Sequence, residues 1–334
     1  MGLRFCVLAC CLSASLCFSQ TLSAAPGATV PDTAATTSKV IATHDRGMRD
    51  IDAVGTRSLG CGRGFGNWYS LDRQMQMGRQ YASEIESTSR LVKDPAVVEY
   101  VNRVGQNLVR NSDSQVPFTI KVIDSDDVNA FALPGGYFYV DTGLILAADN
   151  EAELAGVMAH EIAHVAACHA ARSRTRGQLM NMASLPLMLV GGPVGYAAYE
   201  GLAIATPLTF FKFSRKFEAE ADFLGVQYMY KAGYDPQALT SFFEKVRAME
   251  TRHESPVVKA FRTHPQTPER ILKTQHEIAT LLPPEAEYKL DSSDFEDVKE
   301  RLNKMEGGLQ IHNANRPTLK RRPSLDAPHE SQPD

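Results

Sequence analysis

The sequence has few of the features that mark a specialised structural class. The net charge is only −4 over 334 residues, which gives no electrostatic reason to expect nucleic acid or an anionic membrane as the main partner. No segment repeats at a fixed period, so the sequence does not predict a helical-repeat domain. Apolar residues make up 43% of the chain, a share that is ordinary for a globular protein with a sizeable core.

Cysteine is also scarce once the N-terminal segment is set aside. Residues 1–19 combine an early arginine with an apolar run too short to cross a bilayer, and therefore predict a secretory signal peptide cleaved between residues 19 and 25. The alternatives are a buried N-terminal helix and lipid attachment at Cys10. Four of the six cysteines lie in this segment. Only Cys61 and Cys168 would reach the exported, oxidising compartment, where they could form one disulfide; Cys168 is otherwise expected to be a small buried apolar residue.

Composition divides the rest of the chain. Residues 20–48 are predicted to be a flexible leader, residues 49–282 the main folded domain, residues 283–306 a C-terminal helical extension and residues 307–334 a disordered tail. Residues 184–211 form a strongly apolar stretch that prolines, glycines and a glutamate interrupt. We expect buried helical pieces or a peripheral membrane contact there, and a membrane-embedded form is the alternative.

Local patterns predict helices on both sides of a short sheet. Asp94 followed by Pro95 is typical of a helix start, and the residues from Pro117 alternate as in a strand. A Pro-Gly-Gly turn then predicts a hairpin. Its second strand is expected to comprise Tyr137, Phe138, Tyr139 and Val140.

The following residues, 150–174, are predicted to form one long helix that contains the motif HEIAH. In a continuous helix, His164 lies only about 40° round and one turn along from His160, so both imidazoles can bind one zinc ion. Glu161 lies about 60° from His164, where it can act as a base without binding the metal. Cys168 would be too far along the axis, and His169 would point about 180° away from His160.

A catalytic zinc ion needs a third protein ligand. The acidic run in "FEAEAD" offers Glu218 and Asp222, which are four residues apart on one face of a predicted helix, while Glu220 lies about 200° from Glu218. Glu218 could therefore bind the metal while Asp222 accepts a hydrogen bond from a ligand imidazole. The alternative is a solvated acidic face.

Four motifs together, "NAFALPGG", "AGVMAHEIAHV", "SRKFEAEAD" and "THPQTPER", resemble the M48 family of zinc metallopeptidases over about residues 71–282. The resemblance implies an α+β zincin fold of the gluzincin type: a mostly helical domain with a small antiparallel or mixed sheet and an HExxH helix. It also implies one Zn²⁺ per chain held by His160, His164 and Glu218, with Glu161 as general base and Asp222 behind the ligands.

The resemblance extends to the loop and strand that border such a site. His264, in the His-Pro motif, is a candidate to cap the zinc ion or to contact the substrate, and a simple turn histidine is the alternative. The strand Tyr137–Val140 resembles the edge strand that zincins offer to an extended substrate; the alternative is ordinary sheet without a ligand.

The expected function is zinc-dependent cleavage of exported, misfolded polypeptides in the periplasm, with the outer-membrane protein assembly machinery as a candidate partner and no nucleic acid. Two other classes fit the same residues: a chaperone-like protein that binds clients with latent proteolysis, and a structural zinc protein.

Overall fold

The computed structural model describes residues 47–190, 213–252, 264 and 267–314. The predicted signal peptide, almost all of the predicted leader and the end of the predicted tail lie outside these residues. So does most of the apolar stretch 184–211. None of the helices in the described part of the chain is both long and apolar enough to cross a membrane.

The described strands of the domain form a three-stranded mixed sheet. Its strands are β1 (Thr119–Ile123), β2 (Ala130–Leu133) and β3 (Tyr137–Asp141). The order is β1-β3-β2, with β1 parallel and β2 antiparallel to β3. The predicted hairpin is confirmed, and its turn needs glycine because Gly135 and Gly136 have φ angles of +78° and +89°.

The prediction that Tyr137–Val140 is an edge strand is wrong. This strand is β3, which lies in the middle of the sheet with a partner on each side. β1 pairs with the edge of β3 that the hairpin leaves open. It is held there because its Ile120 and Val122 are buried in the core to which α2 also contributes. Among the described strands, β2 is therefore the one that borders the helix carrying HEIAH.

Helices surround the sheet and supply most of the core. Their bounds are α1 (Leu71–Thr88), α2 (Pro95–Arg110), α3 (Thr142–Ala147), α4 (Glu151–Ala166), α5 (His169–Val190), α6 (Arg215–Lys231), α7 (Gln237–Arg252), α8 (Pro268–Leu281) and α9 (Ser293–Ala314). The predicted caps are confirmed: the Asp94 and Asn150 side chains accept hydrogen bonds from the first turns of α2 and α4. The mostly helical α+β class is also confirmed.

α4 lies at the centre of the molecule. Every one of its residues is buried, and it packs against α2, α6, α7 and β2. A helix surrounded in this way is usually apolar on all sides. The polar side chains that it carries deep in the core therefore need buried partners.

The C-terminal helix belongs to the same core. Phe295, Val298 and Leu302 of α9 are buried with the rest of the apolar cluster. α9 continues to Ala314, eight residues beyond the predicted end of the C-terminal helical extension at residue 306.

Asp141, at the end of β3, is expected to make the stability of the fold depend on pH. It is only 4% exposed, and burial, with the nearby charge of Asp127, raises its pKa to about 7. A raised folded-state pKa means that the folded protein holds this proton more tightly than the unfolded chain does. The stabilisation is therefore fully present below about pH 4 and is lost as the pH rises through 7.

We expect Asp141→Asn, which cannot ionise, to unfold at higher urea than the wild type at pH 8, with the difference vanishing near pH 4. Asp124→Asn is the control, because Asp124 is paired with Arg90. An Asp141→Asn variant that gains no stability at pH 8 would contradict the assignment.

Candidate metal centre

α4 presents three side chains of HEIAH to a buried pocket. His160, Glu161 and His164 are each only 3% exposed. The two imidazoles face each other, with their Nε2 atoms 3.1 Å apart. Oε2 of Glu161 accepts a hydrogen bond from the backbone N–H of Ala132 in β2, at 3.3 Å. The predicted arrangement of the three side chains on one side of the helix is thus present.

α6 brings the carboxylates to the same pocket. It starts after Ser214, whose side chain caps the first turn, and it carries Glu218 and Asp222, which are 2% and 1% exposed. It can lie close to α4 because residue 225 is glycine: a Cβ there would be 3.3 Å from the Cα of His160. The glycine therefore helps to set the distance between the histidines and the carboxylates.

The three predicted ligands have the spacing of a zinc site. Nε2 of His160 lies 3.5 Å from Oε2 of Glu218, and Nε2 of His164 lies 3.7 Å from Oε1 of the same carboxylate. A tetrahedral ion with bonds of about 2.0–2.1 Å holds its donors about 3.3–3.4 Å apart. Two imidazoles and a carboxylate are also donors that suit zinc, so these residues fit the ion.

His264 joins them from a distant part of the sequence. It is buried, its Nδ1 lies 3.0 Å from Oε1 of Glu218, and its Nε2 lies 3.5 Å from Oε1 of Glu161. One donor atom from each of His160, His164, Glu218 and His264 lies within 4.8 Å of all the others. The loop histidine is therefore at the site, as the sequence motif suggested.

The charges in the pocket favour a cation. Burial alone would lower the pKa of His160, but the carboxylates of Asp222 and Glu218 outweigh this and raise it to about 9. Burial lowers the pKa of His164 well below its usual value, which keeps its imidazole neutral. Burial also raises the pKa of Glu161, against the attraction of His264 and His160.

Arg270 also lies at this site, although the sequence pattern assigns no role to it. It is 8% exposed, and its guanidinium donates to both oxygens of Asp222 at 2.8 and 2.7 Å while Nη1 lies 3.0 Å from Oε2 of Glu218. Asp222 in turn lies 2.9 Å from Nδ1 of His160. Arg270 is the last residue of the motif THPQTPER, but nothing local indicates that its side chain turns towards α6.

The predicted long helix is wrong at Cys168, and this changes the roles of two residues. Cys168 has a φ of +53° and is bonded to Cys61, so α4 ends and α5 begins in a new direction at His169. Cys168 is thus a disulfide partner. His169 is outside the group of four converging donors, but it does not point away from the site as predicted: its Nδ1 lies 2.9 Å from Nδ1 of His164.

Comparisons with known proteins place the chain in a family. A model of peptidase family M48 matches residues 95–278. The beta-barrel assembly-enhancing protease of Escherichia coli (strain K12) is 32% identical over 230 residues, which cover 66% of this chain and 47% of that protein. The chain thus spans about half the length of this relative.

Two further relatives are matched over more of their length. The mitochondrial metalloendopeptidase OMA1 of Schizosaccharomyces pombe is 32% identical over 237 residues, covering 68% of this chain and 66% of that protein. The metalloprotease LoiP of Escherichia coli is 30% identical over 235 residues, covering 69% and 90%. The family model spans more than half of the sequence, and it includes the HEIAH helix and the helix that carries Glu218. This chain belongs to peptidase family M48, a family of metallopeptidases.

Proposed function

We propose that the protein is an exported zinc endopeptidase that cleaves misfolded polypeptides. The observation that carries this proposal is the convergence of His160, His164 and Glu218 at tetrahedral spacing beside a carboxylate, Glu161, that is not needed as a ligand. A zinc site that only stabilises the fold does not require an additional buried carboxylate that does not bind the metal.

Each of these residues would have a distinct role in hydrolysis. A zinc ion bound by the three ligands would supply a Lewis acid for the scissile carbonyl and lower the pKa of the attacking water. Glu161 would take the proton from that water and deliver it to the leaving amine. Asp222, held by Arg270, would keep His160 oriented.

The edge of β2 would bind the substrate backbone. Ala132, in this strand, already directs its backbone N–H at Glu161, and a cleft beside it reaches His164 and Phe213. An extended peptide that pairs with β2 would run past the metal ligands. His264, which sits against Glu161 and Glu218, would have to yield to such a substrate or contact it directly.

Export is supported by the disulfide as well as by the predicted signal peptide. Disulfides such as the bond between Cys61 and Cys168 are typical of oxidising compartments such as the periplasm and rare in the cytosol. The name of the Escherichia coli relative, a beta-barrel assembly-enhancing protease, suggests the outer-membrane protein assembly machinery as a partner here too. Peripheral membrane contact through residues 184–211 remains part of this proposal.

Metal removal and replacement test the proposal. We expect the purified full chain to contain one zinc ion, to cleave unfolded casein, to stop after chelation and to recover on addition of stoichiometric zinc. A chelated protein that unfolds and never shows cleavage would support a structural zinc instead. Client binding that prevents aggregation, without cleavage in any metal state, would support the chaperone-like alternative.

A further inference from the structure

We propose that His169 is a positioning residue that orients the zinc ligand His164, with Glu220 and Arg172 behind it. This inference rests on the proposed zinc ligands and adds residues that none of the sequence motifs assigned. It concerns how one ligand is held, and it can fail while the zinc site itself stands.

The break between α4 and α5 creates the contact. The left-handed backbone of Cys168 ends α4 one turn after His164, and α5 starts with the His169 ring directed back at that ligand. His169 is 0% exposed, and the two Nδ1 atoms are 2.9 Å apart. At this distance one nitrogen must carry the hydrogen and the other must accept it.

The position of the other ligands decides which nitrogen donates. Nε2 of His164 faces His160 and Glu218, so metal binding uses Nε2 and leaves the hydrogen on Nδ1. Nδ1 of His169 must then accept, and the hydrogen of that ring lies on its Nε2. This nitrogen is 3.5 Å from Oε2 of Glu220.

Glu220 is itself held in place. Arg172 donates to its two carboxylate oxygens at 2.9 and 3.2 Å, a bidentate pairing that fixes the carboxylate plane. The His169 ring stacks on Phe217 with centroids 4.4 Å apart, so it cannot easily turn away. A continuous chain of contacts therefore runs from Arg172 through Glu220 and His169 to the ligand.

The other histidine ligand has the same kind of support. Asp222 lies against Nδ1 of His160, and Arg270 holds Asp222 with two hydrogen bonds. Each imidazole is thus backed by a carboxylate and an arginine. Glu220 and Glu218 point in different directions from α6. On the His164 side, the imidazole of His169 therefore lies between the ligand and the carboxylate of Glu220.

The test measures zinc affinity and metal-free stability separately. His169→Phe keeps a buried ring against Phe217 but removes the acceptor, and we expect its zinc dissociation constant, measured by competition with a chromophoric chelator, to rise about 10–100-fold. His169→Asn places an amide oxygen near the lost Nδ1 and should recover most of this loss. Urea unfolding of the zinc-free variants should match that of the zinc-free wild type.

Two arginines on α5 provide a matched pair. Arg172→Gln should weaken zinc binding in the same direction, whereas Arg174→Gln should not, because Arg174 contacts Tyr69 rather than Glu220. If His169→Phe proves too unstable to purify, Glu220→Gln makes the same test from further away, with the same expected direction.

The possible results separate this inference from the proposed function. Unchanged zinc affinity in His169→Phe overturns the positioning role and leaves the zinc site standing. The positioning role is also overturned if His169→Phe loses zinc affinity only to the extent that the zinc-free variant is destabilised, and if His169→Asn does not recover the affinity. The proposed function is overturned if the wild type binds no zinc, or if His160→Ala binds zinc as tightly as the wild type.

Discussion

Replacement of Glu161 by glutamine is expected to abolish peptide hydrolysis while zinc binding persists. Glutamine keeps the size of the side chain and can still contact Ala132 N–H through its carbonyl oxygen, but it cannot accept a proton. A general base contributes about 10²–10⁴-fold to a rate, so cleavage of unfolded casein should fall by at least this factor. Because the three proposed ligands are untouched, the zinc content should stay near one ion per chain.

Glu153→Gln is the matched control for this change. Glu153 lies on the same helix, is equally buried, and pairs with Lys245 instead of facing the site. It should retain activity at a temperature where circular dichroism shows the variant to be folded. Wild-type cleavage rates in Glu161→Gln would contradict the proposed mechanism, and loss of zinc from this variant would make Glu161 a ligand.

Loss of the Cys61–Cys168 disulfide is expected to cause a large fall in stability. The two cysteines are 107 residues apart in sequence, and closing a loop of about 100 residues lowers the entropy of the unfolded chain by an amount worth about 4.7 kcal/mol. We expect Cys61→Ser combined with Cys168→Ser to lower the free energy of unfolding in urea by several kcal/mol, on the order of this value.

Reduction provides the control for the disulfide prediction. A thiol reductant should bring the wild type to the stability of the double variant and should leave the variant itself unchanged. If the wild type and the double variant unfold at the same urea concentration under oxidising conditions, the bond contributes nothing to stability. The sequence left this pairing open, because two cysteines alone do not reveal whether their backbones meet.

Features that depend on neighbouring residues were predicted well. The start of α2 at Asp94 and Pro95, the Pro-Gly-Gly hairpin and the cap of α4 at Asn150 each have a local cause, and each is confirmed. The approach of His160 to His164 follows from helix geometry in the same way. These predictions needed only the sequence near each element.

Features that depend on distant segments were missed or misplaced. Nothing within β3 indicates that β1 occupies its second edge, so the edge strand was assigned to the wrong member of the sheet. The left-handed residue at Cys168 follows no local pattern, and periodicity therefore extended α4 too far. Arg270 lies 48 residues from its partner Asp222, and no spacing rule connects the two.

The disulfide closes a covalent loop that contains only part of the proposed metal centre. His160, Glu161 and His164 lie inside the closed loop between Cys61 and Cys168, together with the whole sheet. Glu218, Asp222 and Arg270 lie outside it, on helices that follow later in the chain. The oxidised loop by itself thus carries two of the proposed zinc ligands and the proposed base, but not the proposed carboxylate ligand Glu218. The proposed set of zinc ligands is complete only when α6 packs against α4. Zinc binding would therefore depend on assembly of the closed loop with the helices that follow it in the chain.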